Sequence, residues 1–111
     1  MKKLKVHLDI ETKRLKGIIS PSELKTFIKK SGNKIITLEN STCETLNLLL
    51  CEDDVIRRYN KRYMKHDYET DIITFRYDNE DSDIIISAET VERNGKRFRT
   101  GFLNELYRVI I

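Results

Sequence analysis

An α+β domain with a mixed β-sheet and flanking helices is the fold class this 111-residue chain predicts, and three observations point to it. Leu4, Val6, Leu8 and Ile10 alternate with Lys3, Lys5, His7 and Asp9, the period of two that sets one strand face on a core and the other in water. Val55, Ile56, Tyr59 and Tyr63 recur at the spacing of one helix face. Two short β-branched and aromatic runs, Ile72 to Tyr77 and Asp83 to Ser87, then follow one another closely. With no internal repeat or low-complexity tract, residues 1–111 fit a single domain that buries about two-thirds of the surface its unfolded form exposes.

In chain order, residues 3 to 10 are the first strand. Ser20-Pro21-Ser22-Glu23 begins a helix over 22 to about 39, with Pro tolerated early because its missing N–H has no helical partner there. Leu24, Phe27 and Ile28 share a face that Ile35 and Leu38 continue if the helix survives Gly32, which costs about 1 kcal/mol relative to Ala. Thr45 to Cys51 is short, apolar and flanked by polar segments, as a buried strand is. Asp53 is placed to cap a helix over 54 to about 64. Strands over 72–77 and 83–87 follow, joined by a loop that gathers Asp78, Glu80, Asp81 and Asp83. Ser87 starts a helix carrying Val91 and Phe98, weakened by Asn94-Gly95. Thr100 caps a last helix with Leu103, Leu106, Tyr107 and Ile110 on one face. That helix reaches Val109-Ile110-Ile111 with no Gly cap or polar exit, so a cut is expected there, with the helix frayed or packed on a neighbouring molecule as a homo-oligomer.

An apolar content of 39% beside 35% charged residues, with no run of about 18 apolar residues, excludes a membrane-spanning protein. Met1-Lys2-Lys3 leads into alternation and not into a signal-peptide core. Cys43 and Cys51 have no metal-like spacing and read as free thiols of a cytoplasmic protein. A net charge of +3 permits a nucleic-acid partner, and its distribution is patchy. Arg57, Lys61 and Lys65 lie four apart and form one basic stripe beside Arg58 and Arg62, able to engage successive phosphates. The plainer alternative is a solvated face opposite a core of Ile56, Tyr59 and Tyr63. His7 and His66 are two isolated imidazoles and make no metal site. Asp71 and Asp83 suit strand-end caps better than general bases, and Tyr63, Tyr68 and Tyr77 suit core or rim better than base stacking.

Tyr59-Asn60-x-x-Tyr63, Asp67-x-x-Thr70-Asp71-Ile72-Ile73-Thr74-Phe75, Asp83-Ile84-Ile85-Ile86-Ser87 and Glu105-Leu106-x-Arg108-Val109-Ile110-Ile111 follow in the order and spacing of a known pattern. It resembles the YbeY family, bacterial ribosomal-RNA maturation factors that are metal-dependent endoribonucleases. The likeness covers about residues 45 to 111 by motif and 3 to 40 by element order. It implies a zincin-like fold framed by Asn60, Thr70, Asp71, Phe75, Asp83, Ser87 and Glu105, the last on the helix surface or orienting a metal ligand. It implies RNA and the ribosome as partners. It also implies zinc held by a His-Gly-x-Leu-His stretch and a third histidine, leaving one position for a water whose pKa falls to about 7 and which can attack a phosphodiester. Those histidines are not among the 111 residues, so no catalytic or metal residue carries over and no cofactor is expected in this chain. Met64 stands where many members have an arginine, for which Lys65 or Arg62 would have to substitute by reach. Ser82 stands where they have glycine. The expected function is that of an rRNA-maturing endoribonuclease, catalytically incomplete as given; a noncatalytic RNA- or ribosome-binding module and a partial product without its own function are the alternatives.

Overall fold

The computed structural model describes residues 5–39, 45–77 and 81–110, with side chains only through residue 32 in the first segment. The chain runs β1 (Lys5–Ile10), α1 (Pro21–Glu39), β2 (Thr45–Cys51), α2 (Asp53–Met64), β3 (Ile72–Arg76), β4 (Asp81–Ser87), α3 (Ala88–Arg97) and α4 (Phe102–Ile110). The strands form one sheet in the order β1-β2-β4-β3. β2 is parallel to both β1 and β4, while β3 returns antiparallel to β4, so the sheet is mixed as expected.

Strand alternation sorts the side chains onto two faces. Leu8, Leu48 and Ile84 lie in one row across the sheet, and Ile10, Leu50 and Ile86 in the next. This face packs on Leu24 and Ile28 of α1, Val91 of α3 and Leu106 of α4 to form the main core. Burying each such side chain contributes roughly 1.5–3 kcal/mol. On the other face Cys51, Ile73 and Ile85 meet Ile56 of α2, a smaller core edged by Leu49, Val55, Tyr59 and Phe75. One helix cannot cover four strands, and part of that face stays open.

α1 starts as its sequence predicts. The Ser20 hydroxyl accepts from the Glu23 N–H at 3.1 Å and donates to the Glu23 carboxylate at 3.1 Å, a side-chain N-cap with Pro21 in the first turn. The helix continues through Gly32. Residues 3 and 4 of the first strand, the Ile35 and Leu38 side chains, Cys43, Asp78 and Glu80 lie outside the described residues.

Five expectations are corrected. β4 begins at Asp81, two residues before the expected 83, so Asp81 belongs to a paired strand and not to the loop. Asp53 is not the cap of α2 but its first residue; its own N–H donates to Glu89 of α3 at 3.0 Å, a carboxylate arriving from another helix. α3 passes unbroken through Asn94-Gly95, and Phe98 is 56% exposed at its end and takes no part in the core. Thr100 does not cap α4: its hydroxyl donates to the Glu105 carboxylate at 3.1 Å, and the first helical carbonyl bonded is that of Gly101. Val109 and Ile110 pack on the main core, and Tyr107 stacks on Phe27 with ring centroids 4.1 Å apart, so α4 is held within the chain instead of fraying. Ile111 lies outside the described residues.

Cys51 is fully buried, and its thiol donates to the Ile86 carbonyl at 3.6 Å. Burial foremost, with nearby carboxylates, pushes its pKa up to about 12. In a Cys43→Ser variant, an aromatic disulfide reagent at pH 8 is expected to leave the native protein unlabelled and to label one thiol once urea unfolds it. Rapid native labelling would contradict the packing described.

Candidate functional site

α2 carries the basic side chains, and the structure separates them. Arg57, Arg58, Lys61 and Arg62 are all exposed. Arg57 Nε lies 2.9 Å from one oxygen of Asp67 and Lys61 Nζ 3.9 Å from the other. This hydrogen bond and charge raise the Arg57 pKa and lower that of Asp67. Arg58 Nε donates to the Asp54 carbonyl at 3.4 Å with its guanidinium 3.9 Å from the Asp54 carboxylate, and Arg62 lies over the Tyr63 ring at 5.4 Å. Lys65 leaves the stripe: the helix ends at Met64, and Lys65 caps it in the left-handed region with φ 57°, which no longer projects it one turn beyond Lys61. Tyr63 was the third member of the expected core face, but it is 54% exposed, so only Ile56 and part of Tyr59 are inward.

Asn60 explains how the end of α2 is fixed. It is buried; its carbonyl accepts from the His66 N–H at 3.1 Å, and its side-chain amide donates to the Tyr68 carbonyl at 3.0 Å. The turn after the helix is thereby clamped, with His66 stacked on Tyr68.

The other framework residues make internal bonds. Thr70 donates to Asp71 at 3.5 Å, and the Asp71 carbonyl accepts from the Ser87 N–H, tying the start of β3 to the end of β4. Phe75 meets Tyr63 edge to face at 5.5 Å. Asp83 accepts from Asn47 at 2.9 Å and from the Tyr77 hydroxyl at 2.8 Å. Ser87 caps α3 by accepting from the Thr90 N–H at 3.2 Å. Glu105 is 1% exposed and not a surface residue; bonds from Arg108 foremost, then Thr100, hold its carboxyl below the usual range despite burial.

Two networks gave no sequence signal. Asp53 accepts from Ser87 at 2.7 Å, Thr90 at 2.5 Å and Arg93 at 2.9 Å. Arg14 reaches Glu52 at 2.8 Å, Glu92 at 2.9 Å and Glu89 at 3.7 Å. Together they bind the turn after β1 and the start of α2 to α3. Only the three-residue step from Ser87 to Thr90 could have hinted that one acceptor serves both hydroxyls.

Zinc does not fit the described residues. His7 is exposed on β1 and His66 stacks on Tyr68, and among the described residues no group of three or more His, Cys, Asp or Glu side chains is placed to hold a metal ion. Among them too, no helix is long and apolar enough to cross a membrane. On the open sheet face, a groove of about 600 Å³ runs between α2 and the strands.

This mixed sheet with its helices defines an α+β domain of the architecture seen in the solution structure of TM1509 from Thermotoga maritima. The two match with a TM-score of 0.63 and 24% identity over 96% of this chain and 67% of that one. The family model for Endoribonuclease YbeY matches residues 9–111, and the chain belongs to that family. A relative described as Endoribonuclease YbeY from Chlorobium phaeobacteroides is 34% identical over 99 residues, 86% of this chain and 69% of that protein. One of the same description from Phocaeicola vulgatus is 46% identical over 66 residues, 57% of this chain and 48% of its own length. The chain thus spans about half to two-thirds of the curated relatives it matches.

Proposed function

We propose that the chain is the zincin-like scaffold of an endoribonuclease acting in ribosomal-RNA maturation in the cytoplasm, and that the outer face of α2 contacts the RNA backbone. The observation that carries this reading is the set of four exposed cations, Arg57, Arg58, Lys61 and Arg62, within three turns of one helix. Support for RNA as the partner comes from the relatives, each described as an endoribonuclease. The 111 residues, taken as one domain, hold only two histidines, so RNA binding without hydrolysis is the activity expected of them alone. Chelator-sensitive RNA cleavage by the chain would refute that.

Asp67 sets which cations are available. It holds Arg57 at 2.9 Å and draws on Lys61 at 3.9 Å, whereas Arg58, 3.9 Å from Asp54, and Arg62 are not paired with it. In a fluorescence titration with a single-stranded rRNA fragment at low salt, reversing Arg58 and Arg62 to Glu together is expected to weaken binding roughly tenfold and to flatten its salt dependence. Asp67→Asn is expected to tighten it by about two- to threefold, since it releases two cations. Affinity indifferent to these changes and to salt would remove α2 as the contact.

A further inference from the structure

The groove beside α2 has the wrong charge for RNA. Among the described residues, Asp9, Glu11 and Asp83 line it and no Lys or Arg does. The bonds that Asp83 accepts come from neutral donors, the Asn47 amide and the Tyr77 hydroxyl, so its negative charge is not cancelled. The raised pKa of Tyr77, caused first by that bond, agrees with this. Asp9 and Glu11 are exposed. A phosphate chain is repelled here, and a cation is drawn in.

Sheet register gives the spacing of the charges. Asp9 pairs with Leu49 on β2, and Asp83 on β4 pairs with Asn47, so the two carboxylates stand two strands and two residues apart. That diagonal is roughly 12 Å. Between them the floor is made by Leu49 and Ile85 on one side of the diagonal and by the neutral Asn47 amide on the other. The wall is aromatic: Tyr63 stacks on Tyr59 with centroids 6.1 Å apart and meets Phe75 edge to face. Separated anionic ends with aliphatic and aromatic surface between them complement an extended alkyl chain with an ammonium at each end.

We propose that this groove binds a free aliphatic polyamine of the spermidine class, with terminal ammonium groups at Asp9 and Asp83 and the methylene chain over Leu49 against Tyr63. Calorimetric titration of the chain with spermidine at low ionic strength tests it. Asp9→Asn and Asp83→Asn are each expected to weaken binding about fivefold. Tyr63→Leu is also expected to weaken it, and Glu23→Gln on α1 to leave it unchanged. Ethylenediamine, too short to reach both carboxylates, is expected to bind several-fold more weakly than spermidine. Since Asp83 also holds Asn47 and Tyr77, Asp9→Asn, at an exposed side chain, is the deciding variant. Spermidine affinity unchanged by Asp9→Asn, equal affinity for ethylenediamine, or tighter binding of a trilysine peptide than of spermidine would each overturn the assignment.

Discussion

Replacing Gly95 by alanine is expected to destabilise the protein by about 2 kcal/mol, although alanine is the better helix former by about 1 kcal/mol. The reason is contact. A Cβ at residue 95 would stand 2.9 Å from both the carbonyl carbon and oxygen of Gly101 and 3.1 Å from the Phe102 nitrogen. These are backbone atoms, and they cannot swing aside as a side-chain tip would. The same turn is sealed by N–H bonds from Thr100 and Gly101 to the Gly95 carbonyl at 3.0 and 3.2 Å, so a shift strains those bonds as well. Urea unfolding of the wild type and Gly95→Ala checks this, with Gly95→Val expected to lose more. An alanine variant as stable as the parent would mean that the turn before α4 is free to move. The asparagine–glycine pair that read as a weak point of α3 is thus the place where α4 is docked.

Removing the Asp53 carboxylate in Asp53→Ala is expected to cost roughly 2–4 kcal/mol, because it strands two hydroxyls and a guanidinium at the joint of α2, β4 and α3. A melting temperature lower by about 10 °C or more would follow. Burial acts to raise the Asp53 pKa, and the bonds from Thr90, Ser87 and Arg93 outweigh it, so the folded value lies below the ordinary one. A depressed carboxyl pKa stabilises the fold at pH above its unfolded value of about 3.9, and the contribution is lost as pH falls through the folded value. Asp53→Asn is therefore expected to flatten the stability curve below about pH 4 relative to wild type. Parallel acid-unfolding curves for the two proteins would show that the carboxylate is not the charged centre of this joint.

Elements whose apolar residues follow a strict period were legible. Val55, Ile56 and Tyr59 placed α2 to within a residue, and β2 over 45–51 was read without a period, from a short apolar run between polar segments. Helix starts were read well where the cap is local, as at Ser20, whose partner Glu23 is three residues on. They were misread where the partner is distant. Asp53 had the chemistry of a cap, but its acceptors were drawn off by Ser87 and Thr90, more than thirty residues away, and the Val55 and Ile56 N–H groups it would have capped bond the Glu52 carbonyl instead. The surface reading of Glu105 failed for a different reason, since its partners Arg108 and Thr100 are local: a carboxylate on a helix reads as exposed until the packing that buries it is known. The basic stripe was visible as a count of lysines and arginines; the acid that occupies half of it, Asp67, lies beyond a turn set by the left-handed Lys65. The groove needs the register of three strands at once, information no local window holds.

The strand order β1-β2-β4-β3 has a consequence for how the chain is made. β2 is flanked by the first strand to be synthesised and by the last, and its bonds to β4 are formed with residues 81–87. Until those emerge, a growing chain carries a leucine-rich strand with one side open, the kind of edge that attracts other chains. Non-local pairing of this sort also slows assembly. Early folding of this protein is accordingly a matter of shielding residues 45–51 for the time it takes to translate the thirty or so that follow.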